Sequence, residues 1–492
     1  MMPAKICLVL AENTLEKDLQ LLDKYRSYID IAELRADCLL PQELLYIREF
    51  PHLAHIPVIL TIRRILDGGT FCGGEGTRIT LFARGLAFAE QESLHNFAYI
   101  DLESDLHVPS LEAAAQAFNI RIIRSLHNLK GDLPDISKTA AQIRRTDHEI
   151  VKIAYQAHNL DDVSRLFTEA PQCSGEHTLI AMGRYGIPSR ILASRLGSSI
   201  VYTMAPEYTK LHNIEDSCID PVTLHTLYRF KSLDAHTRIY GVVGANTSKS
   251  MSPLIHNQGY RKKNINAVYI PLSAPHIEQA IRFAESAPLA GFSVTNPFKF
   301  RIRPFLHWTA SEVDQCKAVN TVVCEQAMRR GFNTDIYGIT KAIQALLKRS
   351  NLRFKRVAII GTGGGAHAAA QAVYLLHGKA CIFGRNTRKA NTLASRYHFK
   401  WAPLDLSTAA TLKKYSALII QTTSIGTEEG EDPLPFYHFS GSEYVLDIIY
   451  TPEKTTLLQR AEKAGCKISN GYTMLCYQAQ QQFELFTGEP YE

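Results

Sequence analysis

The chain has 492 residues, which at roughly 100–200 residues per domain predicts two to four domains. With 46% apolar, 21% charged and 9% aromatic residues it has a globular composition, which excludes a disordered or fibrous chain. Lys and Arg number 54 against 48 Asp and Glu, with no run of like charges, so nucleic acid and membrane surfaces are not expected partners and small anionic substrates are.

The first apolar run, Ile6–Ala11, meets Glu12 at once and is too short for the core of a signal peptide. Ten cysteines occur without a CxxC pair or a metal-ligand spacing, so they read as reduced thiols of a cytoplasmic protein, and no metal is expected. Seven further β-rich runs follow: Ile29–Arg35, Pro57–Arg63, Phe97–Glu103, Arg121–His127, Ile150–Ala154, Thr178–Gly183 and Ser199–Met204. Amphipathic helical segments such as Leu15–Tyr25 and Thr77–Glu92 separate them. Eight strand–helix units in about 225 residues predict an α/β fold that begins with an N-terminal (β/α)8 TIM barrel. The runs are continuously apolar, as in a parallel sheet buried on both faces, yet polar residues gather at their C-terminal ends, where such a barrel carries its active site.

Lys152 is one of these, and its neighbours Val151, Ile153 and Ala154 would desolvate the amine, making it a candidate nucleophile toward a ketone; the plainer reading is that it snorkels to solvent or pairs with Glu149. His127 is a candidate general base and acid, or a structural histidine. Glu33 and Arg35 share one strand face, and Arg63 and Arg190 suit a bidentate grip on a carboxylate; taken singly, each reads equally as a surface ion pair.

A junction is expected near 233–237, after which the texture changes to α/β segments punctuated by Gly and Pro. Ser248, Ser250 and Ser252 stand just before Pro253, a device for holding a carboxylate at a helix start. Lys299 ends the stretch from Val294 through Thr295, and Asp335 follows Asn333 and Thr334; a Lys and an Asp brought together by the fold would move a proton to or from a carbonyl oxygen. The long uncharged stretch Val357–Leu376 contains Gly361, Gly363, Gly364, Gly365 and His367 and reads as strand, turn and helix rather than a membrane span. The strand Val357–Ile360 followed by Gly361-x-Gly363-x-x-Ala366 suits a pyrophosphate at a helix N-terminus, or else is an ordinary loop. A second strand, Ala380–Phe383, ends without an acidic residue and is followed by Arg385, Asn386, Arg388 and Lys389. That basic turn favours a 2′-phosphate, hence NADP over NAD, or else is simply a solvated surface turn.

Glu33-Leu-Arg35, Thr61-Ile-Arg63 with Gly68-Gly69, Ser125-Leu-His127, Val151-Lys152-Ile153 and Ser189-Arg190 together resemble the type I 3-dehydroquinate dehydratases across nearly the whole first half. The resemblance implies that Lys152 forms an imine with the substrate ketone and His127 moves the protons. It also implies that Glu33, Arg35, Arg63 and Arg190 bind substrate. Asp67 stands where that family has a glutamate that orients the histidine, and Leu211 to Glu215 stand where it has a closing Ser-Ala-Pro-Gly-Gln loop.

From about 238 onward, Ser250 and Ser252, Thr295 and Lys299, Asn320 and Thr321, Asp335, the glycine turn, and Gly471 with Gln478 resemble shikimate dehydrogenase in the same order. That resemblance implies Lys299 and Asp335 as the catalytic pair, with Ser250, Ser252, Thr295, Asn320, Tyr450 and Gln478 around the substrate. Gly361, Gly363, Gly364, Gly365, Arg385, Asn386, Ile448 and Gly471 would face NADPH. The expected domains are a barrel over 1–233, a substrate domain over 238–341 completed by 468–492, and a Rossmann-type NADP-binding domain over 342–467. The whole chain then looks like a bifunctional enzyme acting on 3-dehydroquinate, 3-dehydroshikimate and shikimate. The alternative is a non-catalytic sensor of quinate or shikimate built from the same domains.

Overall fold

A computed structural model of the chain describes residues 4–86, 95–131, 133, 135–214, 217–326 and 328–491. The far end of the expected helix Thr77–Glu92 and Glu215, in the stretch that stands in place of the family's closing-loop motif, lie outside these residues. Contacts group the chain into two compact units. One holds the residues up to Ile239 with Asn246–Pro253 and Asn264–Leu289; the other holds Tyr240–Ala245, Leu254–Lys263 and the residues from Ala290 onward.

In the first unit eight parallel strands are laid down in chain order. They are β1 (Lys5–Leu10), β2 (Ile31–Arg35), β3 (Val58–Thr61), β4 (Tyr99–Glu103), β5 (Arg121–Asn128), β6 (Ile150–Gln156), β7 (His177–Met182) and β8 (Ile200–Met204). Their order is β7-β6-β5-β4-β3-β2-β1-β8, and a parallel bridge between His177 and Ser198, just ahead of β8, joins the two ends. The expected barrel is therefore found, with each strand boundary within two residues of the apolar run that predicted it. The helix Leu15–Tyr25 shows why the outer layer forms: Thr14 caps it by accepting from the Lys17 amide at 3.3 Å. Its positions 15, 18, 22 and 25 form one buried face, the spacing of a helix stripe turned to a core.

The strands alternate between two apolar layers. Leu8, Leu34, Leu60, Ile100 and Leu102 point outward to the helices, while Cys7, Ile31, Ile59, Tyr99, Ile123, Ile150, Ile180 and Ile200 point inward. Each fully buried aliphatic side chain contributes about 1.5–3 kcal/mol of transfer free energy. In β2 to β6 the inward face is apolar at the start of the strand. Two residues on, the same face of β2 to β6 turns polar with Glu33, Thr61, Asp101, Ser125 and Lys152, all buried. The side-chain period of two thus puts every one of these groups inside the barrel mouth.

Beyond the barrel come β9 (Arg238–Gly244), β10 (Ala267–Ser273), β11 (Leu289–Val294), β12 (Trp308–Thr309), β13 (Thr321–Glu325) and β14 (Met328–Phe332). In the second unit β9, β11, β13, β14 and β12 lie side by side in that order, with β13 antiparallel to both neighbours. A third sheet contains β15 (Arg356–Ile360), β16 (Lys379–Gly384), β17 (Lys400–Pro403), β18 (Leu418–Gln421), β19 (Tyr444–Asp447) and β20 (Lys467–Ser469). It is wholly parallel, in the order β17-β16-β15-β18-β19-β20. This is the doubly wound arrangement, in which the strand order reverses between β15 and β18 and a ligand crevice opens at their C-terminal ends. The uncharged stretch 357–376 resolves into β15, a glycine turn and the helix Gly364–Leu375. Among the described residues no helix is long and apolar enough to cross a membrane.

Candidate active sites

At the barrel mouth the Lys152 ammonium lies 3.0 Å from Asp101 Oδ2 and 3.4 Å from Glu33 Oε1, and only 4% of the residue is exposed. It does not pair with Glu149, whose carboxylate is taken by Arg124 at 2.7 Å on the outer layer. Thr61 donates to Glu33 at 2.8 Å and Ser125 donates to Asp101 at 2.5 Å, so each carboxylate is fixed from a second side. Arg63 sits at the centre of the cluster. Its Nη2 donates to Asp101 at 2.9 Å, and its Nη1 donates to Ser125 Oγ at 2.9 Å, Glu103 at 3.3 Å and His127 Nδ1 at 3.2 Å. Burial opposes ionisation of Asp101, but Arg63 and Lys152 outweigh it and hold the carboxyl well below the usual range. Burial and the adjacent Arg63 push His127 well below 6.5, so its imidazole is neutral. Since arginine can only donate, Nδ1 accepts and the proton of the resting ring is on Nε2.

Arg35 is turned to Asp37 in a bidentate pair at 2.9 and 2.8 Å, and Asp37 in turn accepts from the backbone N–H of Arg63 and Thr70. Arg35 therefore stiffens the mouth. Arg190 donates to the Ala181 carbonyl at 3.0 Å and has no carboxylate partner among the described residues, which leaves its charge open to an anionic group. Asp67 is bound by Arg64 at 2.7 Å. Sequence reasoning did not single out Asp101 and Ser125. The signal for Asp101 was available: it stands two residues before Glu103 and so shares its inward face.

In the second unit the Lys299 ammonium donates to Asp335 Oδ2 at 2.5 Å, bringing together the residues at the ends of two separate segments. Asn320 holds the other carboxylate oxygen with its Nδ2 at 2.9 Å and also reaches Thr334 at 2.9 Å and Gln478 Oε1 at 3.1 Å. Gln478 lies on the C-terminal helix Gly471–Thr487. One turn further along, Gln482 donates to Thr321 at 2.8 Å and accepts from Ser293 at 2.8 Å. Gln482 was missed in the sequence, although its spacing of four from Gln478 puts both on one helix face. Thr295 donates its N–H to the Val243 carbonyl at 2.9 Å. Ser250 and Ser252 fall in the first unit, where Ser250 Oγ accepts from the Ser252 N–H at 3.3 Å.

The crevice predicted by the strand order is built for a dinucleotide. Gly361 follows β15 at φ +118°, and a Cβ there would stand 2.6 Å from Thr422 Oγ1 just past β18. Gly363 caps the helix Gly364–Leu375 and has open space where a Cβ would be. The backbone can therefore approach a pyrophosphate at the helix N-terminus. A Cβ on Gly364 would come within 2.9 Å of the Lys299 side chain, and one on Gly365 within 2.7 Å of Ile448. A Cβ on Gly471 would strike the Ile448 carbonyl at 2.0 Å. The Lys299–Asp335 pair, the glycine turn, Ile448 and Gly471 are thus neighbours. Arg385, Arg388 and Lys389 are exposed after β16, and Asn386 caps the next helix through the Lys389 N–H at 3.0 Å. Tyr450 is half-buried two residues beyond Ile448.

The first unit has the fold and polar centre of a Schiff-base barrel enzyme, and the second those of a nicotinamide-dependent dehydrogenase. The profile of type I 3-dehydroquinase matches residues 6–232 and that of the shikimate dehydrogenase substrate binding domain matches 242–322. The bifunctional 3-dehydroquinate dehydratase/shikimate dehydrogenase, chloroplastic, of Arabidopsis thaliana is 27% identical, with 94% of this chain and 78% of that protein covered. The shikimate biosynthesis protein AroDE of Chlamydia pneumoniae is 27% identical over 79% of this chain and 78% of its own. A shikimate dehydrogenase (NADP(+)) of Caldanaerobacter subterraneus is 33% identical over 52% of this chain and 94% of its own. The chain belongs to the family of bifunctional type I 3-dehydroquinate dehydratase/shikimate dehydrogenases.

Proposed function

We propose that the chain converts 3-dehydroquinate to 3-dehydroshikimate in the barrel and then reduces that product to shikimate with NADPH in the second unit. The observation that carries the first step is the buried Lys152 held among Glu33, Asp101, Arg63 and His127 at the barrel mouth. Its amine adds to the C3 ketone and expels water, giving a cationic imine. The imine draws in the electron pair left when the C2 proton departs to His127, the C1 hydroxyl then leaves with a proton returned from the same ring, and water hydrolyses the imine to free 3-dehydroshikimate and the lysine. For Nε2 to accept the C2 proton, Arg63 must release Nδ1 and turn to the substrate. Arg190 grips the substrate carboxylate, with Glu33 and Arg63 toward its hydroxyl groups.

In the second reaction NADPH supplies the hydride. Lys299 and Asp335 give a proton to the carbonyl oxygen, Asn320 keeps the Asp335 carboxylate in place, and Gln478, Thr295 and Tyr450 hold the ring; the roles of Ser250 and Ser252 rest on the resemblance alone. The glycines at 361, 363, 364 and 365, with Ile448 and Gly471, would cradle the dinucleotide. Arg385 and Asn386 would meet the 2′-phosphate. A non-catalytic sensor would need neither the Lys299–Asp335 pair nor a lysine between two carboxylates. A cytoplasmic location is proposed on the ten cysteines, all of them free; the Arabidopsis relative is chloroplastic.

The test supplies 3-dehydroquinate and NADPH together to the purified chain and follows NADPH oxidation, which requires both sites in series. Clear oxidation is expected. If none occurs with either 3-dehydroquinate or 3-dehydroshikimate, the enzymatic reading falls and the sensor reading replaces it.

A further inference from the structure

β8 carries a side chain that the roles above do not use. Its alternation turns Ile200, Tyr202 and Met204 to the barrel interior, with Tyr202 opposite Cys7 in the β1–β8 register. Lys152 Nζ lies 3.9 Å from the centre of the Tyr202 ring. The ring thus packs against the same ammonium that Asp101 and Glu33 bind, a favourable place for a cation over a π face. Tyr202 is 8% exposed, and its buried hydroxyl has no hydrogen-bond partner among the described residues. A buried hydroxyl that has given up water is unfavourable unless something completes it, and a phenylalanine would fill the same space without that cost. Burial, with Glu33, Cys7 and Asp101 close by, pushes the phenol well above its usual 10, so it stays a neutral donor.

We propose that Tyr202 is a catalytic residue of the barrel reaction, its hydroxyl donating a hydrogen bond to the C3 oxygen of the ketone while Lys152 attacks. This rests on the Schiff-base reading of Lys152. In that step the N–C3 bond forms and the carbonyl π pair moves onto oxygen. Two protons of the lysine ammonium end on that oxygen, the C3–O bond breaks, and water leaves. The Tyr202 proton is not consumed. Its hydrogen bond strengthens as charge builds on the oxygen, the condition under which a fixed donor lowers a barrier.

Tyr202→Phe keeps the ring and removes only the hydroxyl. With 3-dehydroquinate as substrate, rapid borohydride quenching followed by mass spectrometry measures how fast the adduct on Lys152 forms. Adduct formation and kcat for dehydration are expected to fall about ten- to a hundredfold in the variant, with KM and Tm nearly unchanged and reduction of 3-dehydroshikimate at the wild-type rate. Unchanged trapping in the variant overturns the inference alone. So does a fall in Tm that lowers both activities together, which marks a structural tyrosine. A wild-type chain that yields no adduct overturns the Schiff-base reading and this inference with it.

Discussion

Arg64 donates from Nε to Asp67 at 2.7 Å and from its other nitrogens to Asp105 at 2.9 and 3.1 Å. Asp67 is therefore turned to Arg64 while His127 Nδ1 faces Arg63. Replacing Arg64 with Ser frees the carboxylate, and Asp67→Glu in that background lengthens its reach toward the ring. The double variant is expected to raise kcat for dehydration, by less than the roughly hundredfold that a complete general base supplies. Appearance of the enone chromophore of 3-dehydroshikimate measures it; no gain would show that this carboxylate does not act on His127.

Lys152→Ala should lower dehydration by at least about a thousandfold, the scale seen when a covalent nucleophile is removed. Asp335→Asn should lower reduction of 3-dehydroshikimate by about a hundredfold or more. Each variant should leave the other reaction at the wild-type rate, because the residues lie in different units. Loss of both activities in either variant would contradict the division of roles.

The pH behaviour follows from histidines held neutral. His127 lies well below 6.5 through burial and Arg63, so its neutral form persists as pH falls through 6.5, and the acid limb of kcat/KM for dehydration belongs below that value. Burial likewise holds His256 down to about 3 and His367 to about 4. Below about 6.5 the unfolded chain takes up protons at these histidines that the folded chain refuses, so each of them lowers stability as pH falls, while burial pushes Asp18 up to about 8 and Asp447 to about 6, which works in the opposite sense. The change in Tm between pH 7 and pH 5 should therefore be less unfavourable in His367→Gln than in the wild type. An identical change in the two would refute the assignment for His367.

Arg385→Ala removes the first cation after β16. KM for NADPH should rise about ten- to a hundredfold, the cost of one charge-assisted contact, with KM for NADH changed little. Steady-state reduction of 3-dehydroshikimate with the two nucleotides checks this. Equal losses for both would place Arg385 on a group that the two nucleotides share.

The barrel and the parallel nucleotide sheet were legible in the sequence because their signals are local. Eight apolar runs, the polar residues at their ends and a glycine turn between strand and helix are each written within about ten consecutive residues. Lys152, His127, Lys299 and the glycines could be singled out on those grounds. What each would touch could not. Asp101, Ser125 and Tyr202 surround Lys152 because strand register and barrel closure bring β4, β5 and β8 to one interior. Asp335 meets Lys299 only through the packing of the segments after β11 and β14. Asp67 carries the residue type expected near His127, yet its partner is Arg64, a choice made by side-chain reach and competing charge. Periodicity by itself determined which face of each strand is inside. Only the tertiary structure decided which groups share a proton, because ion pairs and hydrogen bonds act over about 3 Å between residues such as Lys152 and Asp101 or Lys299 and Asp335 that stand on separate strands and segments of the chain.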